Sequence, residues 1–273
     1  MSRGADSAGR PWEGRSFQHH DTAFAGDDGS APEGWEAAVA ALRSGDAAQD
    51  AAVDALRGQR LLVPLLAAAG ETGVDERGRT VDKTQELSIV TVGGPDGAPI
   101  LPMFSSVGAM QAWDARARPV PTGVDRAAAA ALDGPGRVVV DPGAETEFVL
   151  TRPMLEALLV GGPWSSPLQD AEVQATVLDA LFAAPAVQGV VLAPGDPASR
   201  LAGAELEAHA LVDDAPDAAE QVQRAAAALG EAALLRERVA SLAVRLHRWD
   251  GGPAQLPLAA PAVVAVTRAD RRA

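Results

Sequence analysis

The sequence predicts an α+β protein: an N-terminal mixed-sheet domain with flanking helices, then a smaller α+β sandwich domain. Three observations carry this reading. Short apolar runs at residues 61–66, 87–92 and 100–104 are bounded by Pro and Gly, as strands are. Stripes of apolar residues at helical spacing precede and follow those runs. A GGPWSSP stretch at 161–167 divides two parts whose element orders differ.

Residues 1–32 are polar and read as a flexible arm, interrupted by the aromatic residues Trp12, Phe17 and Phe24. Trp35, Val39 and Leu42 recur at i, i+4 and i+7 and define a first helix. Asp46 is placed to cap a second, which carries Val53 and Leu56 and stops at Gly58. The strand RLLVPLLA follows, then an exposed, charged hairpin loop at 70–85, the strand ELSIVTV, a GGPDG turn and a third strand ending at ILPMF. Ser106 caps a helix bearing Val107, Met110 and Trp113. Another helix begins at Thr122 and ends in DGPG. Residues 137–140 and 146–150 are strands joined by a DPGAE turn, and Thr151 caps a helix with Leu155, Leu158 and Leu159. The first domain therefore spans 33–160. After the linker come a helix at 170–183 capped by Asp170, strands at 187–193 and 204–212, a helix at 216–237 and a strand at 239–247. This second domain, 168–248, reads as one antiparallel sheet with a face covered by two helices. Residues 249–273 form an extended, Pro-rich tail, with Arg268, Arg271 and Arg272 solvated at its end.

Composition excludes several functions. The 273-residue chain is 47% hydrophobic, but only 4% aromatic, so its core is built from small aliphatic side chains. A net charge of -14 repels phosphate backbones, and no nucleic-acid partner is expected. Cysteine is absent, which removes disulfides, thiolate metal sites and cysteine nucleophiles and fits a cytoplasmic protein. The first twenty residues lack the apolar core of a signal peptide, and no apolar run is long enough to span a membrane.

PWEGRSF with FAGDDGSAPEGW, then RLLVPLLA, ELSIVTV, ILPMFSS and RVVVDPG, in that order and spacing, resemble the SseB family. The GVVLAP and LAVRLHR segments resemble the C-terminal domain of its two-domain, actinobacterial form. The resemblance implies the fold stated above. It brings no catalytic residues, because the family's molecular activity is not established.

Candidate chemistry is sparse. His19, His20 and Asp21 are neighbours in one short tract, which rarely closes a metal site, and they read as part of the polar arm. Asp27–Asp28–Gly29 lacks the alternating ligands of a calcium loop and reads as an Asx turn. Ser105 and Ser106 lack the glycines of a nucleophile elbow and a matching His–Asp pattern, so capping is the expected role. GGPDG lies between strands and lacks a phosphate loop's Lys, so it is a hairpin turn. One constellation stands out. Glu205, Glu207 and His209 alternate with Leu206, Ala208 and Ala210, and Arg245 and His247 alternate with Val244 and Leu246. Period two puts each set on one face. If the two strands are neighbours, Glu205, Glu207, His209, Arg245 and His247 share the open side of a sheet. That side serves as a partner surface or ligand platform, or is a solvated face with cross-strand ion pairs.

The expectation is a non-enzymatic interaction or regulatory protein with a protein partner, no cofactor, no metal, no membrane contact and the capacity to form a homo-oligomer. The alternative is a small-metabolite binder or enzyme with its site between the two domains.

Overall fold

Trp35, Val39 and Leu42 are buried on helix α1 (Trp35–Ser44), as their spacing requires, in a computed structural model that describes residues 24, 26–67, 72–74, 80–82 and 87–272. The aromatic residues Trp12 and Phe17 and the His19–His20–Asp21 tract lie outside those residues, as does most of the 70–85 loop. Helix α2 (Gln49–Leu56) follows, starting three residues after Asp46. Asp46 is therefore not its cap; the Asp46 carboxylate instead accepts from Ser44 Oγ at 2.7 Å.

The N-terminal domain holds two adjoining sheets. Strand β1 (Arg60–Ala67) is central between β4 (Leu87–Ile89) and β7 (Arg118–Gly123), both antiparallel to it. The second sheet has the order β5 (Val92–Gly93), β6 (Pro99–Met103), β8 (Val138–Val140), β9 (Phe148–Leu150), with β6 and β8 parallel. A small antiparallel pair, β2 (Thr72–Val74) and β3 (Thr80–Asp82), completes the strands. The apolar run at 87–92 is thus not one strand: it crosses from the first sheet to the second between β4 and β5. Strand β7 was not expected, since RPVPTG carries two prolines. It is an edge strand, and Pro119 and Pro121, two residues apart, send their hydrogen-free nitrogens toward the same side. Helix α3 (Val107–Trp113) is capped by Ser106 Oγ accepting from Ala109 N at 3.1 Å. Helix α4 (Val124–Asp133) begins after β7, two residues later than Thr122. In α5 (Arg152–Leu159), Thr151 makes no side-chain cap, and its buried Oγ1 has no partner.

One core cluster gathers Trp35, Leu61, Phe148, Leu155 and Leu158; another gathers Val173, Val177, Leu192, Ala208 and Leu229. The second belongs to the C-terminal region. There α6 (Ala171–Phe182), α7 (Ala218–Glu231) and α8 (Ala233–Arg238) cover one face of a four-stranded sheet. The helical stretch at 216–237 breaks at Ala232, whose backbone is extended. The sheet has the order β12 (Leu242–Arg248), β11 (Leu206–Val212), β10 (Val187–Pro194), β13 (Val264–Thr267). It is mixed and not antiparallel throughout, because β11 and β12 are parallel, joined by the α7–α8 crossover. The tail is not wholly extended either. It returns as β13, antiparallel to β10. Nor is Arg268 solvated: it donates to the carbonyls of Phe182, Ala184 and Val187, while Arg271, which is exposed, pairs with Asp179. The carbonyls of Phe182 and Ala184 lie at the end of α6, where a cation is favoured.

The two cores meet at the β10–β11 connection. Ser199 exchanges bonds with Val149, its carbonyl accepting from Val149 N at 2.7 Å and its Oγ donating to Val149 O at 3.1 Å. Arg43 reaches the carbonyls of Ala198 and Glu147, and Arg200 reaches back to those of Ala144 and Glu145.

Inside the N-terminal domain the buried carboxylate of Asp141 accepts from Trp35 Nε1 (3.2 Å), Ser105 N (2.7 Å), Ser105 Oγ (2.6 Å) and Thr146 Oγ1 (2.8 Å). It ties α1 to the turns after β6 and β8. Its φ of 52° is left-handed, a region Asp and Asn tolerate better than most residues. Asp141→Ala leaves several buried donors unpaired in a strained backbone and is expected to cost about 3 kcal/mol or more in urea unfolding. Asp141→Asn, which keeps one acceptor oxygen, is expected to cost less.

Candidate functional site

The five residues singled out by period two lie on or just before β11 and β12, which are neighbours in parallel register: Glu207 opposite Ala243, His209 opposite Arg245, Leu211 opposite His247. Glu207, His209, Arg245 and His247 come together. The contacts run diagonally, each β12 side chain meeting the β11 residue two positions before its register partner. Arg245 Nε and Nη2 both donate to Glu207 Oε1, at 2.9 and 2.8 Å. Glu207 Oε2 lies 3.4 Å from His209 Nε2. His209 Nδ1 lies 2.9 Å from His247 Nε2, and the two rings stack with centroids 5.1 Å apart. Glu205 stands apart, its carboxylate accepting from Ala240 N at 2.7 Å.

This face is not open, which corrects the expectation. Glu207 is 6% exposed and His209 0%. Two segments cover them. The backbone of Gly195 lies against Glu207 so closely that a Cβ there would fall 2.7 Å from Glu207 Cγ. Residues 249–262 cross the sheet as a strap: Trp249, Leu256 and Leu258 line a space of about 620 Å³ with Gly189, Val191 and Leu211. A second space, of about 570 Å³, lies beside it, lined by Leu211, Leu246, His247, Trp249 and Leu256 together with Asp214, Arg248 and Asp250. Period two tells the sides of a strand apart; it does not say what rests on each. On β12 the cluster reaches the surface, where Arg245 is exposed and His247 half-buried.

Burial shapes the ionisation of the cluster. It pushes the His209 imidazole pKa down, against the opposing pull of Glu207. It pushes the Glu205 carboxyl up to about 7, helped by the nearby Asp196 charge, while the Ala240 N–H works the other way.

Other candidates resolve into structural parts. Asp27 Oδ1 accepts from Gly29 N in an Asx turn, and Arg60 pairs with the same carboxylate and holds its pKa below the usual range. Ser105 is buried on Asp141, with no histidine bonded to it among the described residues. The GGPDG turn is closed by Gly97 N donating to Gly94 O. Among the described residues no group of three His, Asp or Glu side chains is placed to hold a metal ion, and no helix is long and apolar enough to cross a membrane. Sequence reasoning missed Trp249, Arg43 and Arg200: an aromatic in a Pro-rich tail and two single arginines carry no periodic signal.

The fold and this polar cluster define an α+β protein with a distinct N-terminal domain and a sheet-containing C-terminal region. Residues 36–157 match the SseB protein N-terminal domain, from the first turn of α1 into α5. The chain therefore carries an SseB N-terminal domain. Neither the curated proteins nor the solved structures contain a match.

The raised Glu205 pKa has a consequence for stability. The folded state holds this proton more tightly than the unfolded chain, whose carboxyl titrates near 4.5. Stability is therefore greatest below that value and declines as pH rises toward 7. Because the side chain is partly exposed, the loss is on the order of 2 kcal/mol. Glu205→Gln, measured by urea unfolding from pH 4.5 to 7.5, is expected to remove that part of the slope.

Proposed function

We propose that this protein is a non-enzymatic interaction module that captures an extended segment of a partner protein along β12. The carrying observation is the position of β12 at the edge of its sheet, hydrogen-bonded on one side only among the described residues. Leu206 N donates to Ser241 O and Trp249 N to Val212 O, so odd-numbered residues of β12 turn their backbone groups toward β11. Leu242, Val244, Leu246 and Arg248 turn theirs outward. A free edge of this length is a template for strand addition. A groove of about 330 Å³ runs beside it between α7, α8 and Leu242 and Val244, room for side chains of an added strand. Arg245 and Arg248 stand along the edge, paired with Glu207 and Asp214.

The same reading takes residues 168–248 as the C-terminal domain of the actinobacterial two-domain type. The separate core cluster of that region supports this. Cytoplasmic placement is proposed on the absence of cysteine.

One observation favours a second reading, a small-molecule site between the two parts: a cavity of about 790 Å³ at their junction, lined by Glu36, Arg43, Ser44, Glu145, Thr146 and Arg200. It ranks second because both arginines are already engaged with backbone carbonyls across the junction.

Leu246→Pro tests strand capture. It removes an outward N–H and leaves the β11 ladder intact, so circular dichroism and melting temperature should stay near those of the parent. Capture of partner proteins from native extract, scored by mass spectrometry against the parent chain, should be lost. An identical set captured by both would count against the edge; loss of a set by Arg43→Ala alone would favour the junction.

A further inference from the structure

Glu207, His209 and His247 form a line of polar groups from the interior to the surface: His209 bonds to His247, while its Nε2 makes no hydrogen bond and faces Glu207 Oε2 across 3.4 Å as a charge contact. Arg245 occupies Oε1 of Glu207 with both donors, leaving Oε2 to face His209 Nε2. A proton on Nε2 meets a carboxylate oxygen; a lone pair there would meet a negative charge. The His209 proton therefore sits on Nε2, which leaves Nδ1 as an acceptor. The 2.9 Å contact between His209 Nδ1 and His247 Nε2 then requires His247 to donate. A neutral His247 has one N–H, now spent inward, so its Nδ1 carries a lone pair. That atom has no hydrogen-bond partner among the described residues and is not buried. His247 lines the cavity of about 570 Å³, whose lining is more polar than apolar: Asp214, Arg248, Asp250 and Gln255 stand there with Leu211, Leu246, Leu256 and Trp249.

We propose that this relay makes Nδ1 of His247 the hydrogen-bond acceptor of a small-molecule site in that cavity, taking a neutral ring-bearing ligand that donates an O–H, of the phenol class. Trp249 and the leucines supply the flat apolar contact. The hydroxyl donates to Nδ1, and the inner Nε2–H of His247 is held by His209, which Glu207 in turn orients. Glu207 and His209 are positioning residues; His247 alone touches the ligand. This inference stands on different atoms from strand capture, which uses the outward backbone of β12.

The test is nitrogen-15 NMR of the imidazole rings in the full chain, with phenol as the probe. In the free parent protein at neutral pH, His247 should show an unprotonated Nδ1 and a protonated Nε2. Phenol should bind saturably and shift the Nδ1 resonance. Glu207→Gln should weaken phenol by about tenfold, the size of effect that removal of such an outer partner has on a ligating histidine. Leu256→Ala, which touches only the wall, should weaken binding without changing the tautomer. A protonated Nδ1 in the free parent overturns the proposal whatever the variants do. So does the absence of saturable phenol binding, or binding that leaves the Nδ1 resonance unmoved.

Discussion

The Asp196 carboxylate turns the β10–β11 connection into a rigid wedge, and both halves of the structure are set by it. Its two oxygens accept from the backbone of Arg200 (3.0 Å) and Leu201 (2.7 Å), and it is only 7% exposed. The chain folds back so tightly that Ser199 and Leu201 take left-handed backbone conformations, with φ of 51° and 58°. Such strain persists only where surrounding bonds over-determine it. The flanks of the wedge touch: a Cβ on Gly203 would lie 2.4 Å from Gly195 O, so only glycine fits there. Outward, the wedge meets the N-terminal domain through Ser199, Gln49 and Leu201, the last packed beside Ile100, Val139 and Val149. Inward, Gly195 presses on Glu207 and keeps water from the polar cluster. One loop thus joins the two cores and dries the site.

That dryness decides the electrostatics. A Glu–Arg pair on an exposed sheet contributes little, whereas the same pair beside a fully buried histidine fixes orientation and tautomer. The strap that crosses the sheet after Trp249 does the same work at the other end of the line. It is held by β13 and by Arg268 on the carbonyls that end α6. The C-terminal segment is therefore structural, despite its Pro-rich composition.

Much of this was legible in the sequence where local chemistry dominates. Helix stripes such as Trp35–Val39–Leu42, the Ser106 and Asp170 caps, and the alternation of Glu207 and His209 against Ala208 and Ala210 are set by residues close in sequence. What stayed hidden depends on distant partners. Strand β7 needs β1 beside it to make two prolines acceptable at an edge. Strand β13 is four residues that pair only because β10 offers a free side. The burial of His209 needs the loop and the strap, and neither announces where it will lie. Asp141 reads as a turn residue in DPG, while its role comes from Trp35, 106 positions away.

Strand capture requires β12 to be an edge strand with alternate backbone groups free. Amide hydrogen exchange resolved by residue tests this most directly. Ala243, Arg245, His247 and Trp249 should exchange slowly, bonded to β11, while Val244, Leu246 and Arg248 exchange near the rate of unprotected amides. Equal protection of both sets in the free protein would contradict the account, because it would mean that the edge is already covered.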